Sequence, residues 1–347
     1  MKISIVIPVF NREKIISETL DSILYQSYRN WECLLIDDGS TDNVGEICNE
    51  YVKKDPRFKY FQRNRVPKGA PTCRNIGLEY ASGDYIIFLD SDDILHENCL
   101  KQRIEKFREF PNNDFLVFKS YLFEENITDA KFYWNLINDE NLIYRFLKLD
   151  VLWQTSGPIY RKSYLNTIGG FSEDLLFWQD YELHLRCLLQ NPSFIFFSEM
   201  PADLYIRQGS LDTISRKTSF TSDQKILQKR IDFYFDMIGN PKYKNALNEE
   251  CLKQVVVSVV YYFCAQFIIR HSNNSKFRIN FNKIIKRTGL SRYSYFQSIL
   301  FAYSIKISRK YKISLLNQLF VRLFKSVPDY HIFDNNKVGR IKIDMSE

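Results

Sequence analysis

The 347-residue sequence is informative first for what it lacks. Its seven cysteines, Cys33, Cys48, Cys73, Cys99, Cys187, Cys251 and Cys264, are odd in number and scattered. They form no CxxC pair and no Cys/His metal spacing, which argues against a disulfide scaffold and predicts reduced thiols in a reducing compartment. No apolar run reaches the roughly 20 residues that cross a bilayer. The stretch 255–269 has fifteen residues, includes Ser258 and Gln266, and reads as a buried helix. Met1 leads straight into a strand-like run without a basic-then-apolar leader, so the expected location is cytoplasmic. Tandem repeats, low-complexity tracts and recognised nucleic-acid-binding motifs are all missing, and nucleic acid is not an expected partner.

What is present divides into two parts. Hydrophobic residues make up 45% of the chain, enough for a sizeable core, and the length allows one large domain with a smaller unit. Residues 1–223 hold 26 basic and 33 acidic side chains, a balance of −7, whereas 224–347 hold 22 and 8, a balance of +14. Such asymmetry predicts two regions with different partners. We place them at 1–220 and 221–347, the second mainly helical. From 291 to 327, Tyr293, Tyr295, Phe296, Phe301, Tyr303, Phe320 and Phe324 interleave with Arg292, Lys306, Arg309, Lys310, Lys312, Arg322 and Lys325. Basic aromatic segments of this kind suit an anionic membrane surface, reached peripherally from the cytoplasmic side.

The first part alternates strand and helix. Residues 3–9, 31–36, 58–62 and 85–89 read as strands. Between them lie helical periodicities with Ile16, Leu20, Ile23 and Leu24, then Val44, Ile47, Cys48 and Tyr51, then Ile76, Leu78 and Tyr80 on one face. This β-α-β-α order predicts an α/β fold with a mostly parallel sheet and helices on both faces. Ligands of such sheets bind beyond the carboxyl ends of the strands. Three of those ends are polar here: Phe10-Asn11-Arg12, the run 37–42, and Asp90-Ser91-Asp92-Asp93.

The acidic end carries the most chemistry. Three carboxylates at one strand end repel one another and call for a cation; hard oxygen ligands suit Mn²⁺ or Mg²⁺, which in turn suit the phosphates of a nucleotide. Asp90 and Asp92 alternate along an extended segment and so can face one site. The plainer alternative is an acidic turn before a helix, and Asp93 is expected to cap a helix starting near His96. Asp38 follows a strand in a turn, where it can accept a hydrogen bond from a base N–H, unless Asp37 or Asp38 simply orders the Gly39-Ser40 turn. Phe10 could stack on that base or belong to the core. Arg74, near Lys68 and Asn75, matches a diphosphate bidentately or bridges Asp90 or Glu79. Gly77 and Gly83 read as packing and turn positions. Trp153 and Trp178 could stack on a ligand ring or belong to the core, and His184 reads as a packing residue.

Four segments, IVIPVFNR (5–12), LLIDDGSTD (34–42), RNIGLEYASGDYIIFLDSDD (74–93) and FWQDYELHLR (177–186), resemble family 2 glycosyltransferases in order and spacing, over residues 1–215. The resemblance implies the A-type nucleotide-sugar fold, a mostly parallel Rossmann-like sheet followed by a C-terminal helical region. It implies inverting transfer of a sugar from a nucleotide diphosphate donor, a UDP-sugar, to a saccharide acceptor, here expected to be lipid-linked in surface glycan assembly. It places Asp38 on the uracil ring, Asp92 as direct metal ligand, Asp90 toward the ribose or a metal-bound water, and Pro8 as a backbone-shaping residue at the strand end. Asp180 matches the base that deprotonates the acceptor. Its other reading, helix N-cap, is compatible, since a helix N-terminus holds a carboxylate ionised; Glu182 is the next candidate.

One departure stands out. Where the family often has a loop histidine contacting the metal or diphosphate, residues 207–212 read Arg-Gln-Gly-Ser-Leu-Asp, so Arg207 or Gln208 would have to substitute. The Gly and Ser content still suits a closing loop. Two other functions share parts of this pattern. A sugar-phosphate nucleotidyltransferase would need a glycine-rich basic loop after the first strand, which Phe10-Asn11-Arg12 is not. Against an inactive nucleotide-sugar-binding subunit stands the retention of Asp38, Asp92 and Asp180 together.

Overall fold

Apolar runs of Ile, Val, Leu and Phe bounded by polar turns give the strands, and apolar residues at helical spacing give the helices between them. A computed structural model describes residues 1–130, 132–134, 141–147, 151–175 and 178–208, isolated positions between 232 and 255, and Ile341–Lys342. In chain order the elements are β1 (Ile3–Val9), α1 (Ile16–Leu24), β2 (Trp31–Asp37), α2 (Val44–Lys54), β3 (Phe58–Gln62), α3 (Ala70–Tyr80) and β4 (Tyr85–Phe88). There follow β5 (Ile94–Leu95), α4 (Cys99–Glu109), β6 (Phe115–Phe118), β7 (Ser120–Phe123), β8 (Phe132–Tyr133), α5 (Leu142–Leu147) and β9 (Pro158–Arg161). The last are α6 (Lys162–Ile168), α7 (Gln179–Leu188), β10 (Phe194–Phe197), β11 (Leu204–Arg207) and β12 (Ile341–Lys342).

The chain packs as two units, Met1–Asp139 with Val151–Ser210 and Gly339–Glu347, and Glu140–Asp150 with Leu211–Val338. In the second unit only α5 and scattered positions are described. The membrane-facing segment expected at 291–327 and the helix expected at 255–269 lie outside the described residues, apart from Val255. Among the described residues no helix is long and apolar enough to cross a membrane.

The first unit is built on a seven-stranded sheet of order β10-β6-β9-β4-β1-β2-β3. The pairs β1–β2, β2–β3, β1–β4 and β6–β10 are parallel. Only β9 runs against its neighbours β4 and β6. The expected mostly parallel α/β fold is therefore the one observed. Alternate residues of β1 serve opposite faces, as the two-residue period of a strand requires. Ile3, Ile5, Ile7 and Val9 join α1, α2 and α4 in one buried cluster. Val6 faces α3, where Gly77 sits so close that an added Cβ would be 2.2 Å from Val6 Cγ1. A second sheet, β12-β8-β7-β11-β5, adjoins this core through Leu122, Leu204 and Ile206. The six described cysteines are free thiols, five of them buried.

Candidate active site

Parallel register brings three polar strand ends to one edge. Val9 is opposite Asp37, Asp38 N–H donates to Val9 O at 2.8 Å, and Leu89 N–H donates to Val6 O at 3.0 Å. Residues Phe10, Asp38 and Asp90 thus leave the sheet together, with Pro8 one position inside the end of β1 and opposite Ile36.

The two neighbouring aspartates after β2 have different work. Asp37 Oδ1 accepts from Gly39 N–H (3.0 Å), Ser40 N–H (2.8 Å) and Ser40 Oγ (2.7 Å), and Oδ2 accepts from the Tyr60 hydroxyl. Gly39, at φ +84°, completes this turn. Asp38 Oδ1 accepts from Arg63 Nε (2.7 Å) and Gly69 N–H (3.0 Å), while no described residue donates to Oδ2. Ordering of the Gly39-Ser40 turn therefore falls to Asp37, and Asp38 Oδ2 has no donor among the described residues. Arg63 is a site residue that the sequence pattern did not single out; nothing in its local spacing ties it to Asp38. Phe10 is 41% exposed, which removes it from the core, and the Lys68 ammonium lies 3.8 Å from its ring centroid.

The acidic loop sets two half-buried carboxylates, Asp90 and Asp92, beside arginines and buries a third, Asp93. Arg74, 4% exposed, donates Nη2 to Asp90 Oδ1 at 2.5 Å, whereas Glu79 pairs with Arg65 instead. Arg74 Nε and Nη1 are buried and have no hydrogen-bond partner among the described residues. Asp92 lies 3.9 Å from Arg12 Nη2. Burial and the adjacent Asp90 push the Asp92 carboxyl up to about 6, against the pull of Arg12 and Arg207. Burial, then Asp92 and Asp90, hold Asp93 well above the usual carboxylate range. Asp93 does not cap a helix. Strand β5 intervenes after it, α4 starts at Cys99 with Asn98 at the N-cap, and the Asp93 carboxylate accepts from Ser156 Oγ (2.8 Å) and Arg207 N–H (3.3 Å). Ser156 Oγ also accepts from Asp90 N–H at 3.1 Å, and its carbonyl accepts from Arg103, which clamps Asp203 through two bonds of 2.8 Å. A lone serine gives no sequence signal, so this support was not legible in advance.

No group of three or more His, Cys, Asp or Glu able to hold a metal occurs among the described residues. Asp90 and Asp92 nonetheless present the hard oxygens that Mg²⁺ and Mn²⁺ prefer, and such ions are commonly held by one or two carboxylates plus substrate phosphates. The raised proton affinity of Asp92 marks a charge that a cation would relieve.

Asp180 is in the second position of α7, not at its N-cap. Trp178 takes the N-cap place in a left-handed conformation at φ 55°. Asp180 still lies in the first turn of the helix. It is half-buried, and no described residue donates a hydrogen bond to it. Glu182 is otherwise engaged: Arg186 Nε and Nη2 donate to its two oxygens at 2.7 Å, and Ser172 Oγ donates at 3.0 Å. His184 is buried and held neutral, pushed down to about 3 by burial and by Arg74. Trp153 belongs to the core, against Phe115, Phe194 and His184, while Trp178 is half-buried beside Tyr181. Arg207 bridges the Asp92 carbonyl (3.3 Å) and Glu18 (2.6 Å), and Gln208 N–H is held by Phe123 O at 2.6 Å. The loop after Gln208 lies outside the described residues.

Comparison with known proteins gives a consistent picture. The sequence profile described as Glycosyl transferase family 2 matches residues 4–168. An uncharacterized glycosyltransferase of Haemophilus influenzae is 34% identical over 222 residues, which is 62% of this chain and 82% of that protein. The Escherichia coli protein named UDP-Glc:alpha-D-GlcNAc-diphosphoundecaprenol beta-1,3-glucosyltransferase WfgD is 36% identical over 145 residues, 42% of this chain and 50% of that one. Against two pneumococcal glycosyltransferases, the matched region spans 19% and 50% of their lengths. The crystal structure of S. aureus TarS 1-349 in complex with UDP-GlcNAc superposes with a TM-score of 0.59 at 19% identity, covering 90% of this chain and 92% of that one.

Proposed function

This chain belongs to the family 2 glycosyltransferases, and we propose that it moves a sugar from a UDP-sugar to a hydroxyl of a lipid-linked saccharide, with inversion. The observation that supports this most is the contrast among its carboxylates. Asp90 and Asp92 crowd each other beside Arg74 and Arg12, while Asp180 has no described protein donor and is available to a proton. In this reading Asp38 accepts from the uracil N–H through Oδ2, and Phe10 with Lys68 lines the base. The unpartnered Nε and Nη1 of Arg74 turn to the diphosphate. Asp92, with Asp90, would hold a divalent cation, which when bound neutralises the leaving diphosphate.

The acceptor hydroxyl attacks the anomeric carbon from the face opposite the leaving group. Its oxygen forms the new C–O bond as the bond from that carbon to the phosphate oxygen breaks. The electron pair of the broken bond departs with UDP, and the hydroxyl proton passes to ionised Asp180. A UDP donor is consistent with the relatives whose names or titles carry UDP-Glc or UDP-GlcNAc, and a diphospholipid acceptor with the name of the E. coli protein. The basic residues of 224–347 would bring the enzyme to the cytoplasmic face of a membrane where such acceptors reside.

Incubation with UDP-Glc, UDP-GlcNAc and UDP-GalNAc, with and without Mn²⁺, tests the reading. Release of UDP from at least one donor, dependent on Mn²⁺, is the expected outcome. Nucleotide binding without turnover would favour an inactive subunit, and formation of a nucleotide-sugar from a sugar phosphate would favour a nucleotidyltransferase.

A further inference from the structure

Residues 168–172 link α6 toward α7 and are gripped from two sides. On the α3 side, the Asn75 side chain makes a reciprocal pair with the backbone of Phe171: Nδ2 donates to Phe171 O at 2.9 Å and Oδ1 accepts from Phe171 N–H at 2.8 Å. Asn75 Nδ2 also donates to Glu173 at 2.9 Å, and Glu173 is anchored by Arg65 at 2.7 Å. On the α7 side, Arg186 donates to the carbonyls of Ile168 and Gly170, and also holds Glu182, which accepts from Ser172 Oγ. Gly170 leaves room for this clasp: a Cβ there would be 2.5 Å from Asn75 Oδ1, and its φ of +63° is one that other residues rarely adopt. The clasp joins two halves of one chemistry. Asn75 adjoins Arg74, which meets Asp90, while Glu182 lies two residues after Asp180 in the same first turn of α7.

We infer that Asn75 is a positioning residue for Asp180: by pairing with Phe171 it fixes the spacing between the donor-side helix α3 and the base-bearing first turn of α7. The inference rests on Asp180 being the base. Neither Asn75 nor Phe171 touches the reacting atoms in this arrangement; the effect is carried through Ser172–Glu182 and Gly170–Arg186 to α7. A small displacement suffices, because misplacing a reacting group by about 1 Å costs on the order of 10²-fold in rate.

The test is a double-mutant cycle on hydrolysis of UDP-Glc, UDP-GlcNAc and UDP-GalNAc with Mn²⁺, using the full chain. Asn75→Ala is expected to lower kcat by about 10²-fold with donor KM changed less than about twofold, and to cost nothing further in an Asp180→Asn background. Asn75→Asp keeps the volume and the acceptor but sets a carboxylate against Phe171 O and Glu173, and should behave alike if the alanine variant folds poorly. Hydrogen exchange over 178–188 should quicken in both variants while exchange over 70–80 holds. Equal losses in the two backgrounds, a raised KM at constant kcat, or unchanged exchange over 178–188 would overturn the positioning role. Failure of the wild-type chain to release UDP from any of these donors would instead refute the reading on which it rests.

Discussion

Asp37 and Asp38 show how far single residues could be read. The sequence marks both as a polar strand end, and only the hydrogen bonds separate the turn-forming carboxylate from the one with an oxygen to spare. The same holds for Asp93, whose expected capping role gave way to a bond from Ser156, sixty-three positions away and invisible to local pattern. Asp92 is where a residue-scale prediction is sharpest. Its charge is unfavourable where it sits, through burial and Asp90, and Arg12 and Arg207 offset this only in part. Asp92→Ala should therefore leave the metal-free melting temperature equal or slightly higher, while abolishing the part of UDP affinity that depends on Mn²⁺. Calorimetric titration of UDP with and without Mn²⁺ checks this, and undiminished Mn²⁺-dependent binding would contradict it.

Elements were legible where their patterns were long. The apolar faces of α1 and α2 and the runs of β1 to β4 declared themselves, because four or more residues establish a period. The second sheet did not, since β5, β8 and β12 are two residues each: β5 and β8 form against the longer β11 and β7, and β12 only against β8. Strand β9 was likewise unmarked: nothing in Pro158–Arg161 says that it will enter between β4 and β6 in the reverse sense. Helix α3 gives a test of packing. Gly77→Ala would drive a Cβ to 2.2 Å from Val6 Cγ1, and overpacking of this kind costs about 1–3 kcal/mol. Urea unfolding should show a lower midpoint, restored in part by Val6→Ala. Helix α7 gives a test of pH. Buried His184 stays neutral down to about pH 3, whereas the unfolded imidazole gains its proton near 6.5. Between those values the unfolded state binds more protons, so stability falls as pH drops, by on the order of 1.4 kcal/mol per pH unit from this group. His184→Gln should lower stability at neutral pH yet flatten its decline between pH 6.5 and 4.

At the scale of the whole molecule the sequence speaks through charge. The balance of +14 over residues 224–347 is set against −7 over the rest, and each Lys or Arg near an anionic surface adds about 1 kcal/mol of attraction within a Debye length. Co-sedimentation with anionic vesicles is therefore expected, weakened by salt and lost on removal of residues 291–347. Equal recovery in the supernatant with neutral and anionic vesicles at low salt would refute the membrane attachment and leave the chemistry untouched. That chemistry is the central claim, and it turns on one carboxylate at the start of α7. The most direct measurement is the rate of UDP release from a UDP-sugar with Mn²⁺ by the wild-type chain and by Asp180→Asn, alongside UDP affinity for both. The account predicts a rate lower by about 10²–10⁴-fold in the variant, the scale of losing a general base, at nearly unchanged UDP affinity. A variant that turns over like the wild-type chain would contradict it.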